Sequence, residues 1–398
     1  MKLHFAKQGD ILKNTLIKYG WYDMERKQAT NMEVKKNNRN RVFRYICKHK
    51  MVSNPDISYA LKMSLPTVTQ LTKELLEKGF IEENGELQST GGRRAKALSA
   101  AVNVRQAVGI DITKNHISFV LTNLTGEILN HARIFLPYKH EESYYCMVDR
   151  ELEIFLDESG AEREKILGIG ISFPGIINLD KKRITYSHVL GIQKIPFDAV
   201  DSYFSYPCYF MNDANAGAYA EAIGSDKTKR FFYLSLSNTV GGAVWDHHGL
   251  IQGKNFRCGE AGHMTMIPDG KLCYCGKKGC LDAYCSALLL SDMAEGKLEN
   301  FFELLKEQDQ KAVDIWNTYT DFLAVALNNI RMLLDCDVIL GGYVGNYIEP
   351  YLPKLWNKVS NRNTFMEEQQ FVKSCRYKTG AAALGAALAV IENFVEQV

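Results

Sequence analysis

One histidine and three cysteines between residues 263 and 280 constrain this chain more than any other feature. Their spacing is His-x9-Cys-x-Cys-x4-Cys, and Gly276 and Gly279 lie inside the last interval. One imidazole and three thiolates on a short loop can close a tetrahedral shell on Zn²⁺, because glycine lets the loop fold back until its sulfur atoms converge. The alternative is a set of idle thiols beside an ordinary histidine. We predict a bound Zn²⁺ with four ligands: His263, Cys273, Cys275 and Cys280. A filled shell leaves no position for an activated water, so this zinc is expected to be structural.

Length and composition indicate a folded protein of more than one domain. The chain has 398 residues, of which 46% are hydrophobic, and this exceeds one typical core. No apolar run approaches the roughly 20 residues of a membrane span, and the first residues lack the apolar region of a signal peptide. Ten cysteines, four of them crowded between Cys273 and Cys285, suit a reducing compartment. The expected location is the cytoplasm.

The small net charge of +2 is unevenly distributed. Residues 1–100 hold 19 Lys/Arg against 10 Asp/Glu, a balance of +9, whereas residues 101–398 hold 29 against 36, a balance of −7. This asymmetry favours a polyanion as partner of the N-terminal part alone, although a solvated basic face would look the same.

Three predicted helices in the basic part have the pattern of a helix-turn-helix. Helices are expected over Asn40–Lys50 and over Pro55–Leu61, the second capped by Asn54. A third is predicted from its N-cap Ser64 to Lys78, before Gly79. Its polar face carries groups that reach base edges and phosphates, namely those of Thr67, Thr69, Gln70 and Lys73.

A two-stranded wing is predicted after the third helix. Phe80-Ile81 and Leu87 would form its strands, with a turn at Asn84-Gly85. At its far end two guanidinium groups follow a Gly-Gly pair, ready for phosphates or a minor groove; they belong to Arg93 and Arg94. We therefore expect a winged helix-turn-helix DNA-binding domain over 34–100, while a three-helix module that only packs on a partner remains the alternative. Residues 1–33 form an extension without an assigned role.

The acidic part contains the same strand plan twice. Three consecutive short strands are predicted at Val108–Ile112, Ile117–Leu121 and from Ile128 onward. Phe231–Leu236, Gly242–Trp245 and Leu250-Ile251 repeat that order. Helix and strand alternation follows each set, which predicts an α/β fold of two lobes, each with a mixed sheet, and a ligand cleft between them. The expected lobes are about 101–222 and 223–380, followed by a C-terminal helix over 380–398.

The run Cys258-Gly-Glu-Ala-Gly-His263, followed by the three cysteines, closely resembles the signature of the ROK family of repressors, open reading frames and sugar kinases. The resemblance covers about residues 34–398, because ROK repressors also carry a winged helix whose wing ends in a Gly-Gly-Arg segment. It implies an actin-like (ribonuclease H-like) two-lobed domain with a structural zinc and a sugar bound between the lobes.

The resemblance also implies which residues hold the sugar. Asn212 and Asp213 match the family's Asn-Asp pair, whose aspartate is the proton acceptor in the kinases, although N-capping of an Ala-rich helix would equally explain Asp213. Glu260 and His263 match the sugar-contacting glutamate and histidine. Two positions depart from the family. Asp282 replaces a glutamate, and His188 lies where many members have an asparagine, so two of the groups expected to contact the sugar differ from the family's.

The phosphate-binding turns differ most from the ROK kinases. Thr113 stands where the family has a glycine after Asp111, and the second turn, Asn238–Ala243, has lost two glycines, one of them to Val240. Phosphoryl transfer depends on positioning and charge stabilisation, so these losses should remove most activity. We expect a sugar-responsive repressor rather than an enzyme. This repressor would bind operator DNA and a sugar or sugar phosphate, and it would form a homodimer or larger oligomer. No association with membranes is expected. A sugar kinase that kept a DNA-binding head, and a winged-helix protein whose body only dimerises, are the alternatives.

Overall fold

A computed structural model describes residues 30–86, 96–223, 230–365 and 369–398. The chain divides into two compact units. The first comprises the described residues up to Ala100 together with Glu392–Val398, and the second is Ala101–Ile391. Within the described ranges no helix is both long enough and apolar enough to cross a membrane.

The first unit has three helices followed by two antiparallel strands. These are α1 (Asn31–Lys48), α2 (Asn54–Leu61), α3 (Leu65–Glu77), β1 (Ile81–Glu86) and β2 (Lys96–Ala100).

Side-chain caps set where these helices begin. Thr30 and Glu33 form a reciprocal capping box, so α1 starts well before the predicted Asn40. The cap of α2 is Ser53 rather than Asn54, because the Ser53 hydroxyl accepts from the Asp56 N–H while the Asp56 carboxylate accepts from the Ser53 N–H. Ser64 caps α3 as predicted.

The predicted turn at Asn84-Gly85 was wrong. Both residues lie inside β1, where the pairing with β2 shifts between Glu83 and Glu86 and Gly85 has a φ of +79°. The Asn84 amide donates to the hydroxyl of Ser99 on β2 at 2.5 Å. An Asn-Gly pair therefore forms a bulge here, since glycine tolerates the left-handed backbone that a bulge requires. Leu87, the predicted second strand, lies outside the described residues.

The last residues of the chain complete the core of the first unit. The ring of Phe394 contacts that of Phe80 edge-on, at 5.3 Å between centroids. The Lys78 ammonium donates to the backbone oxygen of Val398 at 3.0 Å, and the Asn40 amide donates to that of Glu396 at 3.1 Å. The segment after residue 391 is thus part of the unit that holds α1–α3.

The first half of the second unit contains two sheets and three helices. Its strands are β3 (Gln106–Ile112), β4 (His116–Asn123), β5 (Ile128–Phe135), β6 (Ile166–Phe173), β7 (Ile176–Asn178), β8 (Arg183–Ser187), β9 (Ile192–Pro196) and β10 (Cys208–Asn212). Its helices are α4 (Glu142–Glu158), α5 (Asp198–Asp201) and α6 (Asp213–Ile223).

The second half carries one further sheet and most of the remaining helices. Its strands are β11 (Phe231–Leu236), β12 (Val240–Asp246), β13 (Gly249–Ile251), β14 (Asp337–Gly341) and β15 (Val372–Ser374). Its helices are α7 (Asp282–Cys285), α8 (Leu288–Ser291), α9 (Leu298–Lys306), α10 (Gln310–Leu334), α11 (Gly342–Gly345), α12 (Leu352–Ser360) and α13 (Ala381–Gln397), the last of which ends in the first unit.

The two five-stranded sheets confirm the predicted repeat. The first has the order β10-β6-β3-β4-β5 and the second β13-β12-β11-β14-β15. In each, an antiparallel three-strand meander is extended by two parallel strands. A separate small sheet, β7-β8-β9, follows β6.

Small residues allow α13 to pack closely on the first sheet and on α6. A Cβ at Gly109 of β3 would lie 1.7 Å from the backbone oxygen of Ala383, and one at Gly170 of β6 would lie 2.0 Å from that of Ala386. Likewise, Gly385 of α13 meets the backbone of Ala216 on α6. Because α6 follows β10 directly in the chain, its first residue lies at the end of that strand.

Candidate functional sites

The structure confirms that the four predicted metal ligands converge. One ligand atom from each of His263, Cys273, Cys275 and Cys280 lies within 4.8 Å of all the others. The loop folds back because Gly276 and Gly279 both adopt a φ of +83°, and a Cβ at Gly279 would lie 1.8 Å from the oxygen of Ile267. Isolated backbone bridges pair Thr265 with Cys280 and Leu272 with Lys278.

The donor set fits a tetrahedral zinc ion. The sulfur atoms of Cys275 and Cys280 are 3.8 Å apart, and a tetrahedron with Zn–S bonds of about 2.3 Å has edges of about that length. His263 turns Nδ1 toward the Cys273 sulfur at 4.0 Å and leaves Nε2 toward the Tyr274 hydroxyl at 3.4 Å. Burial and the neighbouring His188 lower the pKa of His263, which favours the neutral ring that metals bind. One imidazole therefore has one nitrogen for the metal and one for a ligand.

The start of α6 places a carboxylate at the end of β10. The Asn212 side chain caps the helix, because its oxygen accepts from the Asn215 N–H at 3.0 Å while its amide donates to the oxygen of Gly175 at 2.9 Å. The carboxylate of Asp213, the first helical residue, accepts from the N–H of Ala214 at 2.9 Å and from its own N–H. The cap that bonds the third residue of the helix is therefore Asn212 and not Asp213.

Two further carboxylates act on Asp213. Burial raises the pKa of Asp213 to about 7, and the nearby Asp111 and Glu260 add to the shift. Burial also raises the pKa of Asp111, against a hydrogen bond donated by the Ser172 hydroxyl at 2.5 Å. The Glu260 side chain is partly open to solvent, yet the surrounding protein still raises its pKa. A ligand that donates hydrogen bonds to these groups would relieve their mutual repulsion.

His188 and Asp282 occupy different positions relative to the histidine ligand. The His188 ring lies 6.4 Å from that of His263 and 5.7 Å from that of Tyr274, and its Nδ1 is 2.6 Å from the Tyr186 hydroxyl. Asp282 is buried, and one of its oxygens accepts from the Val240 N–H at 2.5 Å. His188 thus lies beside the rings of His263 and Tyr274, whereas Asp282 fixes the start of β12. The sequence did not predict that Tyr274 lies beside His263, because an aromatic residue between two cysteines has no distinctive pattern.

Hydrogen bonds within the chain hold the turn after Asp111 and the turn that leads into β12. The Thr113 N–H and hydroxyl both donate to the oxygen of His116, at 3.0 and 2.8 Å. The Val240 N–H is taken by Asp282, and the glycines at 241 and 242 do not have a left-handed backbone. The backbone amides of Thr113 and Val240 are therefore already bonded within the fold.

An arginine and a tyrosine that the sequence did not identify meet beside Asp111. Arg133, on β5 of the first sheet, lies over the ring of Tyr343 at 5.4 Å and donates to its hydroxyl at 3.4 Å. Tyr343 follows the Gly-Gly pair at the end of β14 in the second sheet. Arg133 favours the ionised form of Asp111, and Asp111 in turn disfavours ionisation of the Tyr343 hydroxyl, whose pKa is raised mainly by burial. The Arg133 guanidinium thus supplies a positive charge beside Asp111.

In the first unit, α3 exposes the four predicted polar residues: Thr67, Thr69, Gln70 and Lys73. The Thr69 hydroxyl donates to the oxygen of Leu65 at 2.9 Å, so it can only accept from a ligand. The Thr67 and Ser64 hydroxyls bond each other at 2.7 Å. Gln70 and Lys73 keep free donors. Arg93 and Arg94 lie outside the described residues.

The chain belongs to the ROK family, whose model matches residues 107–393. The xylose repressor of Bacillus subtilis (strain 168) is 27% identical over 383 residues, which cover 92% of this chain and 97% of that protein. A crystal structure of a ROK family transcriptional regulator, a homologue of the E. coli MLC protein, has a TM-score of 0.74 at 20% identity and covers 91% of this chain and 97% of that one. ROK hexokinase from Thermus thermophilus has a TM-score of 0.59 at 25% identity and covers 74% of this chain and all of that one. The predicted mixed α/β domain, similar to sugar kinases, is therefore confirmed.

Proposed function

We propose that this chain is a sugar-responsive transcriptional repressor of carbohydrate genes, with a sugar-kinase-like domain that senses rather than phosphorylates. The observation that carries the proposal is the contrast within one domain: Asn212 and not Asp213 caps α6, which spares the Asp213 carboxylate that role, whereas the Thr113 amide is consumed by its own turn. The similarity to a repressor along nearly the whole length of both chains supports the same conclusion. Thermal-shift measurements with a sugar panel test it, because a ligand that binds only the native state raises the melting temperature. Xylose is the first sugar to test.

The proposed sugar site combines side chains from the end of β10, the start of α6, the turn after β8, the metal loop and the start of α7. Hydroxyl groups need several acceptors and donors in one cluster, and carboxylates, amides and an imidazole supply both. Tyr274 joins the set because its hydroxyl faces His263. The residues proposed from the family pattern are Asn212, Asp213, Glu260, His263, Asp282 and His188.

Zinc would hold the loop that carries the sugar-contacting histidine. Bound by three thiolates and one imidazole, the ion stabilises the fold and has no site for water. His263 would then orient its free nitrogen toward the sugar, as ligating histidines commonly do toward a hydrogen-bond partner. Metal binding and sugar binding are coupled through this ring.

The first unit is proposed to be a winged helix-turn-helix that binds operator DNA. Its α3 would enter the major groove, and β1 and β2 would form the wing. The proposed contacts are Thr67, Thr69, Gln70 and Lys73 on α3, with Arg93 and Arg94 on the wing. One short helix reads few bases, so a homodimer on a near-palindromic site is expected.

Regulation follows from thermodynamic linkage. Sugar changes operator affinity only if it binds one of two states of the protein better than the other. Operator binding measured with and without the sugar found in the thermal-shift screen gives the direction of this coupling.

A sugar kinase that retains a DNA-binding head is the second candidate. The pKa of about 7 at Asp213 favours it, because a general base works best when its pKa is near the operating pH. Sugar-dependent ATP consumption across a hexose panel would support the kinase; none is expected here.

Sugar affinity should rise with pH around neutrality. The pKa of Asp213 is raised from its ordinary value of 3.8 to about 7, so the carboxylate is mostly protonated at pH 6 and mostly ionised at pH 8. The ionised form accepts stronger hydrogen bonds from sugar hydroxyls. Calorimetric titration should give an affinity increase of up to about tenfold from pH 6 to 8, following the ionised fraction. Asp213→Asn should flatten that profile, and a variant with the parent's slope would show that another group titrates.

DNA binding should depend strongly on salt. Each phosphate contact made by Lys or Arg releases counterions, so the logarithm of the binding constant should fall linearly with the logarithm of salt concentration. Replacing Arg93 or Arg94 by alanine should weaken binding to specific and random duplexes alike, whereas Gln70→Ala should change base preference. Fluorescence anisotropy on both duplexes separates the cases. Equal losses on both duplexes from Gln70→Ala would contradict the proposed recognition face.

A further inference from the structure

The exposed amide of Gln70 is held by a carboxylate one helical turn away. The Gln70 Nε2 donates to Oε1 of Glu74 at 3.3 Å. The same carboxylate pairs with two cations of α1, with Lys35 at 2.6 Å through Oε1 and with Arg39 at 3.2 Å through Oε2. The Glu74 and Arg39 side chains keep only 23% and 17% of their surface exposed, whereas Gln70 is exposed. A fixed network on α1 and α3 therefore ends at one exposed recognition residue.

The orientation of the Gln70 amide follows from chemistry. An ionised carboxylate can only accept hydrogen bonds, so the amide must turn its nitrogen, and not its oxygen, toward Glu74. Hydrogen bonds from Lys35 and Arg39 lower the pKa of Glu74, so this constraint persists at neutral pH. Lys35 and Arg39 are donors only, so they cannot take over the role of Glu74.

Glu74 leaves Gln70 with a particular pair of hydrogen-bonding groups. One Nε2 proton is used, so one N–H donor and the oxygen acceptor remain for DNA. Adenine presents an acceptor at N7 and a donor at N6 in the major groove, which matches this pair. Guanine presents two acceptors, N7 and O6. A free glutamine could give both its protons to guanine, but Glu74 removes one of them.

We propose that Glu74 is a positioning residue that fixes the amide of Gln70 for adenine and against guanine at one base pair of each half-site. The inference rests on the proposed DNA-binding function of the first unit. Glu74 itself touches no base. It acts through the orientation of Gln70, and Arg39 and Lys35 hold it in place.

Selection from a randomised duplex DNA pool tests the proposal on the full chain. Gln70→Ala first identifies the base pair that Gln70 reads, as the position whose preference disappears. At that position the parent should favour adenine over guanine by about tenfold or more, the usual value of a bidentate contact. Glu74→Gln should bring the two bases within about threefold of each other, because an amide at position 74 can donate as well as accept.

Two further variants make the result specific. Glu77→Gln removes the same charge from the same helix, but Glu77 pairs with Lys73 at 3.9 Å, so it should keep the adenine preference. Glu74→Asp keeps the negative charge, but its shorter side chain cannot reach the Gln70 amide, so the adenine preference should weaken. This variant replaces Glu74→Gln in the test if Glu74→Gln strongly lowers the melting temperature. Unchanged adenine preference in both position-74 variants, or no adenine preference in the parent, would overturn the inference. Failure of the parent to select any DNA would instead overturn the proposed function.

Discussion

Cys275→Ala should abolish stoichiometric zinc binding and cost several kcal/mol of unfolding free energy. The four ligand atoms lie within 4.8 Å of one another, and removing one thiolate opens the shell. Metal binding to such a cluster contributes directly to folding, because the unfolded chain has no preformed site. Burial raises the pKa of the Cys273 thiol to about 12, so without the metal this buried sulfur would stay protonated and the loop would lose the bonds that close it.

Metal analysis of the purified protein and thermal melting with and without a chelator check this result. Cys258→Ala is the matched control, since Cys258 is half-buried just before the metal loop but is not one of the four ligands. Its zinc content should equal the parent's, with a much smaller change in stability. A parent protein without zinc, or a Cys275→Ala variant as stable as the parent, would contradict the proposed centre.

Asp213→Asn should lower sugar affinity by about ten- to a hundredfold while operator binding is kept. The substitution preserves shape but removes charge-assisted hydrogen bonds worth roughly 1.5 to 3 kcal/mol, and each 1.4 kcal/mol is tenfold in affinity. The variant should still bind operator DNA, but sugar should change that binding only slightly. Calorimetry with the sugar and anisotropy with the operator measure the two effects.

The same variant should be more stable than the parent in the absence of sugar. The folded-state pKa of Asp213 is raised from 3.8 to about 7, so its contribution to stability is complete below about pH 4 and is lost as pH rises through 7. Asparagine carries no charge, so above pH 7 the melting temperature of Asp213→Asn should exceed the parent's. A loss of sugar affinity accompanied by higher stability cannot be attributed to unfolding. Sugar-dependent ATP turnover in the parent, abolished in Asp213→Asn with sugar affinity nearly kept, would restore the kinase.

Features governed by local spacing were predictable from the sequence. The metal ligands lie within a short loop whose glycines determine its path, so their convergence needed no distant contact. The strand repeat followed from apolar runs between turn residues, and the start of α3 followed from its Ser64 cap. The reciprocal side-chain caps of α1 and α2 were not predicted. As a result, the sequence missed that α1 begins at Asn31 and that Ser53 caps α2.

The tertiary structure decided how distant residues act on one another. The Asn84-Gly85 pair reads as a turn, but pairing of β1 with β2 makes it a bulge. Asp213 reads as a helix cap, but Asn212 takes that role and the approach of Asp111 and Glu260 gives Asp213 its raised pKa.

The sequence by itself therefore determined the convergence of the four candidate metal ligands, the α/β repeat and the polar face of α3, because each depends on residues close together in the chain. Only the fold brought Arg133 to Tyr343, and Lys35 and Arg39 to the glutamate that holds Gln70. Those pairs lie far apart in sequence, and their energies depend on distance and burial, which packing alone sets.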